Sequence, residues 1–172
     1  RMKLLLAAHD SEIVPEEITA QPGELLMRQG APAKRVLLLT EGSVAIQVRQ
    51  NDERAHTLAI VEAEEVLGEM GLFGNGQHTA DVQVLDQPAQ LLAVDGDQLL
   101  KAMLFDADLS IELLNLISQR CLQGNELVGL LLDGIHAAHT GDAIELERTC
   151  SMLRQRGHAI ADAADRLTAL LR

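Results

Sequence analysis

The feature that most constrains this chain is an apolar run ending at Leu67, then Gly68, five residues, and a Gly74-Asn75-Gly76 loop. Gly68 permits a sharp turn, and residues 69–73 are enough for about one helical turn. A helix start leaves outward N–H groups without intrahelical partners, which suits a small anion. The strand expected after the loop opens with His78-Thr79, and both side chains can donate hydrogen bonds into the same corner. Glu69 is the acidic group there, better matched to sugar hydroxyls than to phosphate. Taken alone, the stretch reads equally as a tight turn between strands.

The flanking segments are short and closely punctuated. Residues 23–29 predict a strand that ends at Gly30, with a turn through Pro32. Val36 to Leu39 is an apolar run closed by Glu41-Gly42, and residues 43–48 alternate with period two, the sign of a half-buried strand. Residues 51–53 read as a hairpin tip, with residues 56–61 returning as the partner strand. Two more strands, 79–85 and 89–94, are split by Asp86-Gln87-Pro88. Turn signals every 8–12 residues or so predict a β-sandwich or barrel. Residues 1–22 carry little beyond a helical turn at 3–8, because Pro15 and Pro22 break any long element.

Gly68-Glu69-Met70-Gly71-Leu72 and, after the loop, Thr79-Ala80 resemble the phosphate-binding cassette of the cyclic nucleotide-binding domain, as in the catabolite activator protein family. That family reads Gly-Glu-x-small-apolar, a short loop, then Arg-Ser/Thr-Ala. His78 stands where the arginine would be. Residues 26–42, with Gly30 and Gly42 bracketing the apolar run, resemble the family's first signature. The likeness spans residues 20–135 or so and implies an eight-stranded jelly roll, so the expected fold is mainly β with flanking helices. It also implies that Glu69 accepts from a ribose 2′-OH and that N–H groups near Gly71 and Leu72 meet a cyclic phosphate. The implied ligand is cyclic AMP or cyclic GMP, with no other cofactor.

The second half reads as helical. Asp95-Gly96-Asp97 can cap a helix over 98–103, and Asp108 is the expected cap of a long helix to about 133. Leu114, Ile117, Cys121, Gly124, Val128, Leu131 and Ile135 follow a 3-4-3-4 spacing and form one stripe. Leu109, Leu113, Leu116, Leu127 and Leu130 form another, interrupted by Arg120 and Gln123. One stripe is expected to cover the barrel and the other to form a parallel seam in a homodimer, the pairing that the family commonly shows. Asn125 and Glu126 lie where the resemblance puts polar groups that reach the purine, though two solvated residues beside Gly124 read as well. Asp142 is expected to cap a helix to about 156, stopped by Gly157, and residues 158–171 form the last one. The expected division is a lead-in over 1–22, the ligand domain over 23–135 and a helical appendage over 136–172.

Composition sharpens what the chain does. Of 172 residues, 47% are hydrophobic, and Phe73 and Phe105 are the only aromatics, which argues against base stacking. The net charge is −12, and residues 134–172 hold five arginines against five carboxylates. A nucleic-acid reader needs a basic face, and the family's basic recognition helix is not evident. No apolar run approaches a span of about 20 residues, and the two cysteines lack metal spacing; reduced thiols in a cytoplasmic compartment are expected. His136 and His139 at i, i+3 read as a helix-end pair rather than a metal site. Asp95, Asp97, Asp106 and Asp108 read as caps, so no catalytic set is expected.

His78 leaves two readings open. A neutral imidazole replaces a charged fork, which costs roughly 10–100-fold in affinity. A nearby phosphate would raise its pKa and restore partial charge, giving a pH-sensitive contact. Alternatively the pocket is degenerate and the domain serves dimerisation or protein docking. A regulator whose DNA-binding part is truncated or replaced is the third reading.

Overall fold

The computed structural model describes residues 13–49, 55–156 and 158–169. The expectations at residues 3–8, at the hairpin tip 51–53, at Gly157 and at 170–171 lie outside them. Eight strands form two four-stranded antiparallel sheets. The first contains β1 (Glu16–Ala20), β8 (Ala89–Asp95), β3 (Arg35–Glu41) and β6 (Glu65–Leu67), in that order. The second contains β2 (Leu25–Met27), β7 (Asp81–Val84), β4 (Ser43–Arg49) and β5 (Ala55–Glu62). This is the jelly roll that the resemblance implies, and a β-sandwich as the turn spacing predicts.

The apolar run in β3 explains the layering. Val36, Leu37, Leu38 and Leu39 are all buried, so this strand has no solvent face. Successive side chains point to opposite faces. Leu37 and Leu39 pack with Val44, Val82, Val84 and Leu91 between the sheets. Val36 and Leu38 pack on the other side with Ile13, Val94, Leu99, Leu109 and Leu113, under helices. Each such leucine contributes about 1.5–3 kcal/mol.

Those helices are α2 (Gly96–Phe105) and α3 (Ala107–Thr140). Asp95 caps α2 by accepting from the N–H groups of Asp97 and Gln98. The cap of α3 is Asp106, not Asp108: Leu109 N–H donates to Asp106 Oδ1 at 3.0 Å, leaving Asp108 inside the first turn. The helix also runs past 133 and ends where Gly141 takes φ 70°. Its 34 residues span about 51 Å. Asp142 caps α4 (Ala143–Gln155), and α5 (His158–Ala169) follows.

Two placements differ from expectation. Residues 16–20, read above as lead-in, form β1, paired with β8 from Glu16↔Ala93 to Ala20↔Ala89. The Leu127 and Leu130 face of α3 covers α4 and α5, not the barrel, packing with Leu146, Cys150, Leu153, Ile160 and Ala164. No helix among the described residues is long and apolar enough to cross a membrane.

Candidate functional site

The centre of the site is the corner between β6 and β7. Gly68 leaves β6 at φ 89°, and a Cβ there would lie 2.7 Å from Met27 Cε. The five-residue helix α1 (Glu69–Phe73) follows. At Gly71 a Cβ would sit 2.6 Å from Gln77 O and 2.8 Å from Ala33 Cβ. Both positions therefore require glycine, one for conformation and one for close approach. The loop returns so that Gly30 N–H donates to His78 O and His78 N–H donates to Ala31 O, at 2.8 and 2.9 Å.

Glu69 is only 1% exposed. Arg120 of α3 reaches it through Nη1, while Arg120 Nη2 donates to Glu65 Oε2 at 3.0 Å and to Val66 O at 2.6 Å. The fork of one guanidinium thus ties the long helix to the turn. Glu69 Oε2 is buried with no partner among the described residues, and so is Nδ1 of His78. Burial, and then the positive charge of Arg35, hold the His78 pKa below its usual value of about 6.5. The imidazole is therefore neutral at pH 7, and any phosphate-driven rise starts from a lowered value.

A cavity of about 670 Å³ opens on this corner. Gly68, Glu69, Met70, Gly71, His78, Thr79 and Ala80 line it, so the two sequence segments are brought together. Leu72 does not line it; its side chain packs on the core, and its N–H donates to Gly68 O at 3.2 Å. The rest of the wall is mostly apolar, with Leu58 and Ile60 of β5 and with Arg120, Gln123, Gly124 and Leu127 of α3. Asn125 and Glu126 are exposed and outside the lining; Glu126 Oε2 accepts from Arg156 Nη2 at 2.7 Å. Gln155, Arg156 and Ile160 complete the lining from the C-terminal helices.

Sequence reasoning missed Arg120 and Arg156 as site residues. The signal for Arg120 was present: one arginine interrupting an otherwise apolar helix face has a buried partner or a cavity to meet. Nothing comparable marks Arg156. Along α3, Leu114, Val128 and Ile135 are 60%, 55% and 56% exposed. Cys121 and Gly124 are also exposed, Ile117 is half-buried, and Leu131 packs on the C-terminal cluster. His136 and His139 lie exposed near the end of the same helix, and no group of three metal-ligating side chains forms among the described residues.

The model of the cyclic nucleotide-binding domain matches residues 17–104, just over half of the chain. The N-terminal domain of a transcriptional regulator from Streptomyces coelicolor A3(2) is similar at 28% identity, with 72% of this chain and 84% of that one covered and a TM-score of 0.55. The sensor domain of the transcriptional regulator DNR from Pseudomonas aeruginosa is similar at 23% identity, covering 71% and 77%, with a TM-score of 0.57. The catabolite activator protein of Thermus thermophilus is similar at 20% identity over 98% of this chain and 79% of that one, with a TM-score of 0.67. No curated protein matches the chain.

Proposed function

The chain belongs to the cyclic nucleotide-binding domain family, and from that premise we propose that its cavity senses a cyclic mononucleotide, cyclic AMP or cyclic GMP, for a regulatory, non-catalytic output. The single observation that carries this is the buried Glu69 Oε2, an acceptor without a partner among the described residues, on a residue of the cavity wall beside the turn of Gly68 to Gly71. A ribose hydroxyl supplies the missing donor. The cyclic phosphate then faces the turn together with His78 and Thr79, while Arg120 links the ligand corner to the long helix. Binding shifts the population of α3 arrangements only through its different affinity for each. By likeness to the Streptomyces domain, the output is control of transcription, made by a dimer seam or a further segment.

The exposed Leu114, Val128 and Ile135 favour a second reading, a homodimerisation or docking module whose cavity is silent. Calorimetric titration with cyclic AMP and cyclic GMP at pH 6 and pH 8 separates the two. A bound phosphate raises the lowered His78 pKa, so the complex takes up a proton and affinity rises from pH 8 to pH 6. His78→Arg should tighten binding roughly 10–100-fold and flatten that dependence. No heat from either ligand at millimolar concentration, with wild type and His78→Arg alike, leaves the silent reading.

A further inference from the structure

One wall of the cavity belongs neither to the turn nor to the long helix. Gln155, Arg156 and Ile160, from the end of α4 to the first turns of α5, line it together with β5. We infer that the C-terminal helical pair is a ligand-contacting wall supplied in cis, with Gln155 and Arg156 meeting the base of a cyclic nucleotide whose phosphate lies at the turn. The inference rests on the proposed function and adds which residues distinguish one base from another.

Spacing along α3 supports this placement. Arg120 meets Glu69 at the turn, and six residues later Glu126 holds Arg156 at 2.7 Å. Six residues advance a helix by about 9 Å, so the Glu126–Arg156 contact holds the end of α4 well beyond the Arg120–Glu69 corner. The wall is anchored, because Leu127 and Ile160 line the cavity and also pack in the core of the helical pair. A guanidinium fork and an amide are the groups that read purine edges: the fork fits paired acceptors, and the amide offers a donor and an acceptor together. A single protomer then holds a complete site.

The test is titration of the whole chain, as wild type, Gln155→Ala, Arg156→Ala and Arg156→Lys, with cyclic AMP and cyclic GMP, alongside thermal melts of each variant. The two ligands share sugar and phosphate, so a base contact changes the ratio of their affinities. Arg156→Ala is expected to change that ratio roughly tenfold or more, and Arg156→Lys to restore only part of it, because an ammonium lacks the fork. Equal loss for both ligands, or no loss, overturns the inference and leaves the proposed function standing. Absence of binding by wild type overturns the proposed function and this inference with it.

Discussion

At the residue scale, the Arg120–Glu69 pair decides whether the corner holds together. A carboxylate this buried is tolerated because a guanidinium meets it; removing the partner leaves an uncompensated charge, which costs about 3–5 kcal/mol. Arg120 keeps some solvent contact, so the lower end applies. Arg120→Ala should therefore lower stability by about 3 kcal/mol in urea denaturation, and Arg120→Ala with Glu69→Gln should regain a large part. Equal stability of wild type and Arg120→Ala would mean that the pair contributes nothing. Gly68, Glu69 and Thr79 were legible in the sequence because the corner they form is local. Arg120 and Arg156 were not, since helix packing brings them to the cavity from 51 and 87 positions beyond Glu69. Leu72 was expected to offer its N–H to a phosphate; that N–H donates to Gly68 O, and the side chain packs on the core.

At the element scale, two glycines in helices should respond to alanine with opposite signs. Gly71 in α1 has Gln77 O and Ala33 Cβ within 2.8 Å of a would-be Cβ, so Gly71→Ala forces backbone to move and costs about 1–3 kcal/mol. Gly129 in α3 meets nothing within 4 Å, so Gly129→Ala should gain up to about 1 kcal/mol from helix propensity. Chemical denaturation checks both; a stabilised Gly71→Ala would show that the turn tolerates bulk. Strands with strict alternation or a fully apolar run, such as β4 and β3, were readable. The edge strand β1 was not: Ile18 and Ala20 turn inward between exposed Glu17 and Thr19, an alternation too short and too weakly apolar to stand out. The cap of α3 slipped by two residues because Asp106 and Asp108 are equally good caps locally, and tertiary placement selected one.

At the scale of the whole molecule, the stripe of Leu114, Val128 and Ile135 leaves α3 with an apolar face that the described residues do not cover. The proposed parallel pairing of two α3 helices would bury it in a homodimer. Leu114→Glu with Val128→Glu should shift sedimentation from dimer to monomer at micromolar concentration without lowering the thermal midpoint of the barrel. With a net charge of −12, wild-type association should strengthen as salt rises from about 0.01 to 0.15 M and the Debye length falls from about 30 to 8 Å. A wild type that sediments as monomer at all salt concentrations would remove the seam.

Strand β5 bounds the cavity yet lies at the outside of its sheet, hydrogen-bonded to β4 from Ser43↔Glu62 to Arg49↔Ala55. With a neighbouring strand on one side only, it is cheaper to displace than any central strand. Helix α5 packs against this strand, so the edge that bounds the cavity is held in place by the same helix that completes its lining.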